Sequence, residues 1–473
     1  MAGEGALFIA DDLPEIPNSW QWGRLGDLVD QSRGICYGIV QPGDHDTNGI
    51  PMVNSQNVLD GSVSPHIEFR VSKELHARFK RSTIRGGEIL LTLVGANFGR
   101  VAIAPPAFAG FNCARPVGVI PVREHPKFVM FCLQSPLTRQ FMDNWANTTA
   151  QPTLNLKEVA NLPIPLPPLA EQKAIAAVLG ALDDKIELNR RMNATLEAMA
   201  RALFQSWFVD FDPVRAKLDG RPPAALDPAT AALFPASFQD SPLGHIPKGW
   251  EIGTLGSILD VLETGRRPKG GVGSYTSGVP SVGAESINGI GVFDYSKTKY
   301  IPFEFFEKTS SGRVAHFDVL LYKDGGKPGE FRPRVGLFGH DFPFKTFCIN
   351  EHVFRMRSVR TGQSFLFFTT SHQRVLDDFA NKGGKAAIPG INQPDVKSTP
   401  IVLPPKGITD AFNARADLLC DQILHNAIQS RTLATLRDTL LPKLLSGELS
   451  LPAALLAAQA GVAGLESQPE AVT

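Results

Sequence analysis

Residues 162–172 read LPIPLPPLAEQ, and residues 399–405 read TPIVLPP. Before each Pro-Pro pair the chain consists of short apolar runs broken by Gly, Pro and Asn, which is typical of strands and turns. After each pair, apolar residues recur at alternating spacings of four and three, which indicates a long helix. The sequence therefore predicts the same arrangement twice: a mixed domain followed by a long helix.

The repeat extends through both halves of the chain. IPNSW at 16–20 returns as IPKGW at 246–250, and GIPMV at 49–53 returns as GVPSV at 278–282. The offset is 229 or 230 residues in these parts and 237 at the Pro-Pro pairs, so the length difference lies inside the globular domains. An internal duplication of this length decides the architecture. The predicted fold class is α+β, with two mixed α/β domains joined by two long helices.

The two helical stretches carry a matching seam. Its predicted members are Leu179, Leu182, Ile186, Asn189, Leu196 and Leu203 in the first helix, and Leu419, Ile423, Asn426, Leu433 and Leu440 in the second. A seam sustained over four heptads predicts a coiled coil, and the domain between the helices favours antiparallel pairing with each other. Buried Asn at equivalent positions would fix the register. The alternative is that each helix packs only on its own domain. Arg437 is a charged exception in the seam.

These patterns predict six segments. They are a first domain (1–168), a first helix (169–211), a linker (212–245), a second domain (246–405), a second helix (406–450) and a frayed tail (451–473). Because of its Asp-Pro and Pro-Pro pairs, we expect the linker to be extended, with one short helix near 229–234.

The composition is that of an ordinary globular protein of 473 residues, with 47 basic and 47 acidic residues and no net charge. A net charge of zero does not indicate a nucleic-acid-binding protein, so any DNA affinity must come from local clusters of charge. The five cysteines are widely spaced, which argues against disulfides and zinc and predicts buried, reduced thiols. Neither a signal peptide nor a spanning helix is predicted, so we expect a cytoplasmic protein of a prokaryote.

Motifs for catalysis are missing from the sequence. There is no phosphate-binding glycine loop, no zinc-deaminase signature and no Asn-Pro dipeptide of the adenine-methyltransferase type. Glu171-Gln172-Lys173 has the E-x-K form of nuclease sites, but it opens a helix and lacks an acidic partner. We expect no catalytic residue, no bound metal and no bound cofactor.

Several of these motifs, taken together and in order, resemble one family: the specificity subunits of type I restriction–modification enzymes. The resemblance rests on the two IPxxW openings, the stretch at 162–172, LFQSWFVDFDP at 203–213 and LLPKLLSGEL at 440–449. The second half departs from the pattern where Gly407-Ile408-Thr409 replaces Leu169-Ala170-Glu171-Gln172.

The resemblance implies two target recognition domains, each reading one half of a bipartite site in double-stranded DNA, joined by an antiparallel coiled coil. It also implies two methyltransferase (modification) subunits as partners and, through them, restriction/translocase subunits. S-adenosylmethionine, ATP and Mg would be bound by those partners. Two other hypotheses stay open: a duplicated protein scaffold that does not contact DNA, and a self-contained nuclease or methyltransferase.

Base and phosphate contacts need Arg, Lys, Asn, Gln or hydroxyl side chains in loops. In the first half the candidates are Arg33, Tyr37, Gln41, Asn54, Gln56, Asn57, Lys80, Arg81, Arg85, Asn97, Arg100, Asn147, Thr149 and Gln151. In the second half they are Arg266, Arg267, Lys269, Ser274, Tyr275, Lys323, Lys327, Arg332, Arg334, Lys382 and Lys385. The alternative for each is a solvated loop or an internal ion pair.

Two further features repeat and receive structural interpretations. Asn155 and Asn392 occupy the same place in each half, which suggests a helix cap or turn. The apolar run Leu203-Phe204 with Trp207-Phe208 could either receive a methyltransferase subunit or close a local core.

Overall fold

The computed structural model describes residues 13–148, 152–327, 329–384 and 389–452, without the side chains of 147 and 148. The chain forms two compact units. Unit 1 contains the residues up to Lys185 and those from Leu433 onward, and unit 2 contains Ile186–Thr432. Each unit is a mixed α/β domain to which two long helices contribute, so the predicted fold class is confirmed.

The domain of unit 1 precedes the first long helix. Its strands are β1 (Gln21–Arg24), β2 (Cys36–Tyr37), β3 (Ile50–Val53), β4 (Arg70–Val71), β5 (Ile89–Thr92), β6 (Val101–Ile103), β7 (Asn112–Cys113), β8 (Val117–Ile120), β9 (Asn147–Thr148), β10 (Pro152–Thr153) and β11 (Pro163–Leu166). Its helices are α1 (Lys73–Arg78), α2 (Pro126–Gln134), α3 (Pro136–Trp145) and α4 (Leu156–Ala160). The first long helix, α5 (Leu169–Phe208), follows directly after Pro167-Pro168.

The domain of unit 2 follows α5. Its helices are α6 (Asp212–Leu218), α7 (Pro228–Ala232), α8 (Phe303–Lys308), α9 (Gln363–Thr370), α10 (Gln373–Gly383) and α11 (Gln393–Lys397). Its strands are β12 (Phe238–Gln239), β13 (Ile246–Pro247), β14 (Glu251–Thr254), β15 (Val261–Thr264), β16 (Val279–Val282), β17 (Gly289–Ile290), β18 (Lys299–Ile301), β19 (Asp318–Tyr322), β20 (Val335–Phe338), β21 (Cys348–Ile349), β22 (Val353–Arg357) and β23 (Pro400–Leu403). The second long helix is α12 (Lys406–Ser446).

Corresponding sheets form the core of each unit. The central sheet has the order β2-β8-β5-β6 in unit 1 and β15-β22-β19-β20-β17 in unit 2. A smaller sheet lies beside each, β4-β3-β7 and β18-β16-β21, and in both the middle strand pairs with one neighbour in parallel. β5 and β19 are buried along their whole length, as expected of central strands made of Ile, Leu and Val. The sequence repeat is therefore a repeat of topology.

The segment between α5 and β13 differs from the extended linker that we predicted. Helix α5 ends at Phe208, and Phe211 adopts a left-handed conformation with φ 56° immediately before α6. Val214 and Phe234 are buried in the core of unit 2 together with Phe211. The prediction of an extended segment is wrong because these apolar side chains fold it onto the domain.

The two long helices run antiparallel within each unit. In unit 1, Ile175 and Leu179 near the start of α5 share a core with Leu441 and Leu444 near the end of α12. In unit 2, Phe204 and Trp207 near the end of α5 share a core with Phe412 near the start of α12. The end of each long helix is therefore part of the core of the domain that the other long helix follows.

All predicted seam residues are buried or half-buried. The polar members bond across the two helices of unit 2: the Asn189 amide donates to Ser430 Oγ (3.2 Å), and the Asn426 amide donates to Asn193 Oδ1 (2.9 Å). An offset of 237 residues exchanges these two bonds, since Asn189 corresponds to Asn426 and Asn193 to Ser430. The polar layer therefore follows the internal repeat.

Arg437, the charged residue in the otherwise uncharged seam, pairs with an acidic residue of the other long helix. Its guanidinium donates to Asp183 Oδ1 at 2.7 Å within unit 1, and both side chains are largely shielded from solvent. The corresponding residues of unit 2 are Ala200 and Cys420, both buried in its core. An ion pair therefore replaces an apolar pair at this level of the repeat.

Replacing Asn426 by leucine should destabilise the protein by about 1 kcal/mol more than replacing Asn189. Asn426 satisfies both ends of its amide, since Oδ1 accepts from Gln422 and Nδ2 donates to Asn193. Asn189 Nδ2 also donates to Gln429 and Ser430, but its Oδ1 is buried without a partner among the described residues. Replacing Asn189 by leucine removes this unsatisfied atom, which offsets part of the loss of the Nδ2 bonds. Urea unfolding of the Asn189→Leu and Asn426→Leu proteins measures the difference. An equal or reversed ranking would contradict this hydrogen-bond assignment.

Candidate nucleic-acid interface

Loops gather at one end of the central sheet in unit 1. β2 and β5 end there and β6 and β8 begin there, because all three neighbouring pairs are antiparallel. We call this the loop end. Leu93 N donates to Pro116 O (2.7 Å), and Gly95 N donates to Pro152 O (3.3 Å). The loop after β5, the turn before β8 and the segment at β10 therefore form one surface.

Most predicted DNA contacts of the first half lie at this loop end. Gln41 and Gln56 are exposed, Arg100 is half-buried, and the three follow β2, β3 and β5. The remaining described candidates there, all half-buried, are Tyr37, Asn54, Asn57 and Asn97. The Oδ1 atoms of Asn54 and Asn57 accept backbone N–H groups of their own loop, so these two residues shape it. The side chain of Asn147, and Thr149 and Gln151 entirely, lie outside the described residues.

The other candidates of unit 1 lie at the opposite end of the sheet. Arg33 is buried, and its guanidinium bonds Glu88 and the carbonyl oxygens of Arg81 and Thr83. The prediction that Arg33 contacts DNA is wrong, because its donors are occupied inside the protein. Arg81 is exposed but donates to Arg33 O at 2.9 Å. Lys80 and Arg85 are exposed at this same end.

The sequence analysis missed Arg115. It is exposed at the loop end, between β7 and β8, and no acidic side chain among the described residues lies within ion-pair distance. Its backbone N donates to Ile39 O at 2.8 Å, which places it beside the loop after β2. Arg115 precedes Pro116 and stands in no cluster of polar residues, so no local pattern marks it as a DNA contact.

Unit 2 has a loop end built in the same way, where β15 and β19 end and β20 and β22 begin. α12 packs at the opposite end, where His316 lies 3.5 Å from Asp421. Gly38 and Gly265 mark corresponding places at the two loop ends. An added Cβ would lie 2.1 Å from Cys113 O and 1.6 Å from Ile349 O, so only glycine fits this close approach.

Five predicted contacts at the loop end of unit 2 are exposed and form no ion pair among the described residues. They are Arg266, Lys269, Ser274, Tyr275 and Lys327. They come from the loops that follow β15 and β19. Among the described residues, the basic members of this set have no acidic side chain within ion-pair distance, so they can meet phosphates without breaking an internal bond.

A cluster of alternating charges lies between those two loops. Arg267 Nε lies 2.8 Å from Glu351, and Lys323 Nζ lies 3.2 Å from Asp324. His352 bonds Asp324 and lies 3.4 Å from Glu351. The predicted contacts Arg267 and Lys323 are therefore already paired, and reaching DNA would require them to exchange partners.

The remaining candidates of unit 2 have structural bonds. Lys382 Nζ donates to Asp378, Ser398 and Thr399 at 2.6 to 3.2 Å, so its prediction as a DNA contact is wrong because no donor is free. Arg334 donates to the carbonyl oxygen of Ala284 and lies over the Tyr322 ring. Arg332 is exposed and pairs with Glu330. Lys385 lies outside the described residues.

The structural interpretation of the repeated Asn pair is confirmed. Asn155 caps α4 and Asn392 caps α11, each in a capping box with the acidic residue three positions later. Both caps hold the segment that leads from the loop end to the last strand of the domain. Asn155 and Asn392 therefore have a structural role next to the loop end.

The glutamate of the E-x-K motif also has a structural bond. Glu171 accepts a hydrogen bond from Trp20 Nε1 at 3.0 Å. At the corresponding place in unit 2 stands buried Ile408, and Trp250 Nε1 has no partner among the described residues. Glu171 thus ties the first IPxxW segment to the start of α5.

The aromatic run at the end of α5 closes a core. Phe204, Trp207 and Phe208 are buried, so of the two interpretations of this run the structure supports the local core. The exposed apolar residues of α5 in unit 2 are instead Leu188, Met192 and Met199. Their spacing of four and seven places them on one face of the helix. At the corresponding places α12 carries His425, Gln429 and Leu436, so this stripe is not repeated.

The cysteines are buried, and the acidic, His and Cys side chains of the described ranges do not gather in groups of three. Cys36, Cys113, Cys132, Cys348 and Cys420 are buried and free, as predicted. Burial raises the pKa of Cys348 to about 11 and that of Cys420 to about 12, so both stay thiols at neutral pH. Within the described ranges there is no group of three possible metal ligands, and no helix is long and apolar enough to cross a membrane.

The chain is similar to known proteins of one kind. Residues 17–198 match the model of the type I restriction modification DNA specificity domain. The type I restriction enzyme MjaIX specificity subunit of Methanocaldococcus jannaschii is 26% identical, covering 93% of this chain and 96% of its own. Over most of its length, the chain is therefore similar to type I restriction enzyme specificity subunits.

Two further proteins are similar to most of the chain. The type I restriction enzyme HindI specificity subunit of Haemophilus influenzae is 25% identical, covering 91% of this chain and 100% of its own. The crystal structure of a type I restriction–modification S subunit from M. genitalium superposes with a TM-score of 0.52 at 14% identity, covering 92% of this chain and 98% of that one. The chain therefore shares the fold of an S subunit of known structure.

Proposed function

We propose that this chain is the non-catalytic DNA specificity subunit of a type I restriction–modification complex, and that each unit reads one half of a bipartite target. One observation carries the proposal: the loop end of unit 1 gathers Arg, Asn and Gln side chains, and the loop end of unit 2 gathers Arg, Lys, Ser and Tyr side chains. Two loop ends on similar scaffolds with different side chains suit two different half-sites.

The complex would divide its work among subunits. Two methyltransferase subunits would supply S-adenosylmethionine-dependent methylation of adenine, and restriction/translocase subunits would supply ATP- and Mg-dependent cleavage. This chain would bind none of these cofactors, and the complex would work in the cytoplasm. The exposed stripe Leu188, Met192 and Met199 suits partner docking, because methionine adapts its shape to an apolar surface.

Replacing Arg115 by alanine should weaken the binding of the purified methyltransferase complex to its target about tenfold, as expected for one lost base or phosphate contact. Arg85→Ala is the matched control, because Arg85 is also an exposed arginine of unit 1 but lies at the opposite end of the sheet. We expect its affinity to stay within about twofold of wild type. Electrophoretic mobility shifts over a range of salt concentrations measure both.

The alternative, a duplicated scaffold that does not contact DNA, gives a different outcome in the same assay. Affinity that falls steeply with salt indicates phosphate contact. If neither arginine variant changes the affinity, or if both change it equally, the loop end is not the reading surface. Binding by the methyltransferase alone, equal to that of the complex, would favour the scaffold.

A further inference from the structure

An open cleft of about 630 Å³ lies at the loop end of unit 1. Its walls are the loop between β2 and β3 and the loop that runs from β3 to β4. Met52 N donates to Phe69 O at 2.9 Å, which places the end of the second loop beside the end of β3. No arginine or lysine of the described residues lines the cleft, although these are the usual partners of phosphates and of guanine. The cleft therefore suits a different group of the DNA.

Hydrogen bonds within the loop after β3 leave one amide side chain free. Asn57 Oδ1 accepts from Asn54 N at 2.9 Å, and Asn57 Nδ2 donates to His66 O at 3.1 Å. Asn54 Oδ1 accepts from Gln56 N at 2.9 Å, so the backbone of Gln56 is held in place. The side chain of Gln56 lines the cleft, is exposed, and has no hydrogen-bond partner among the described residues. It therefore offers a donor and an acceptor side by side.

An aromatic ring and an imidazole complete the wall. Phe69 is half-buried and packs against the small core that contains Met52 and Val71. The His45 ring lies edge-on to the Phe69 ring, with centroids 5.7 Å apart. His45 Nδ1 accepts from Arg70 N at 3.3 Å, so the ring proton is on Nε2. This part of the cleft therefore combines an apolar surface with one N–H donor.

We propose that this cleft reads one A·T base pair in the major groove, with Gln56 on the adenine and Phe69 on the thymine methyl group. Adenine presents its N7 acceptor beside its N6 donor, and a glutamine amide bonds both. Thymine presents a methyl group, which suits Phe69, and the O4 acceptor, which suits His45 Nε2. The inference rests on the proposed DNA-reading function and names a base pair that unit 1 selects.

The carboxylate of Glu68 also lines the cleft, and carboxylates accept from cytosine N4. Glu68 lies 3.3 Å from His66 Nε2, and both side chains are 82% exposed, so this pair stands at the rim. A G·C pair would also place the two acceptors of guanine in a cleft that has no arginine or lysine among its described residues. The chemistry of the wall therefore favours A·T, and reading of G·C is the contrary outcome of the test.

Methylome sequencing of the host carrying Gln56→Ala tests which base pair is read. We expect one A·T position in one half of the motif to accept any base pair, while the other half stays unchanged. Gln21→Ala is the matched control, because Gln21 is an exposed glutamine of β1 outside the cleft, and it should give the wild-type motif. Relaxation at a G·C position, or at no position, overturns the proposal. A wild-type chain that gives no bipartite motif overturns the proposed function as well.

Modified bases at the relaxed position then test the contacts, with mobility shifts of the purified methyltransferase complex. Replacing adenine by 7-deazaadenine removes the N7 acceptor and should weaken wild-type binding about fivefold, the effect of one hydrogen bond, but leave Gln56→Ala unchanged. Replacing thymine by uracil removes the methyl group and should weaken both complexes about threefold. An equal effect of 7-deazaadenine on the two complexes overturns the contact of Gln56 with adenine, and unchanged binding to the uracil duplex overturns that of Phe69 with thymine.

Discussion

Arg33→Ala is expected to destabilise unit 1 by about 3 to 5 kcal/mol, because it leaves the carboxylate of Glu88 buried without its cation. Both side chains of the pair are about one-twentieth exposed. The substitution also removes donors from the carbonyl oxygens of Arg81 and Thr83. The bond joins the segment before β2 to the start of β5, so its loss loosens two strands of the central sheet.

The loss of stability caused by Arg33→Ala should depend on pH. Burial raises the pKa of Glu88, but the hydrogen bonds from Arg33 and from the Arg85 backbone lower it by more in sum, so the net shift is downward. In wild type, Glu88 therefore stabilises the fold above its unfolded pKa of about 4.3, and this contribution is lost as the pH falls through the folded value. Without Arg33, burial raises the folded pKa, and the opposite dependence applies.

Hydrogen exchange in β5 and urea unfolding at pH 7 and pH 4.5 measure these effects. The difference in the free energy of unfolding between wild type and Arg33→Ala should be larger at pH 7 than at pH 4.5. Arg85→Ala, an exposed arginine close to the same strand, serves as the control and should stay within about 0.5 kcal/mol of wild type. A difference between wild type and Arg33→Ala that does not narrow at acid pH would show that Glu88 is not its cause.

Phe412→Ala is expected to lower the free energy of unfolding of unit 2 by about 3 to 5 kcal/mol. The Phe412 ring is fully buried and packs against Phe204, Phe208 and Phe365, with centroid distances of 5.9, 5.1 and 6.4 Å. These rings belong to the start of α12, the end of α5 and α9. Removing the Phe412 ring leaves a cavity where three helices meet, because the close-packed neighbouring rings cannot fill the space.

The control for Phe412→Ala is Phe303→Ala, because the Phe303 side chain is 67% exposed. It should change stability by less than about 0.5 kcal/mol. Hydrogen exchange should rise in β19 of the Phe412→Ala protein, which belongs to the same unit. Unchanged exchange in β19 would mean that the aromatic cluster does not hold unit 2 together.

The sequence predicted the features that depend on repetition and spacing. The duplicated domains, the two long helices and the caps at Asn155 and Asn392 follow from local patterns, because periodicity and capping are local physics. The prolines of the linker favour an extended chain, and they are a local pattern. The core that buries Phe211 and Phe234 is formed by residues distant in sequence, so no local pattern indicates it. Long-range packing of this kind has no local signature.

The candidate site could be predicted only as a set of loops. Arg33 and Arg100 look alike in sequence, yet one is buried against Glu88 and the other stands at the loop end. Which strand ends lie together is decided by antiparallel pairing, and this divided the candidates of unit 1 between two ends of one sheet. Arg115 was missed for the same reason, since its neighbours at the loop end are distant in sequence.

Methylome sequencing of the host with and without this gene shows whether this chain supplies the DNA specificity of the complex. We expect one bipartite adenine-methylation motif to disappear when the gene is deleted and to return when the wild-type gene is restored. If the methyltransferase subunits are expressed and no motif is lost on deletion, this chain does not supply the DNA specificity of the complex.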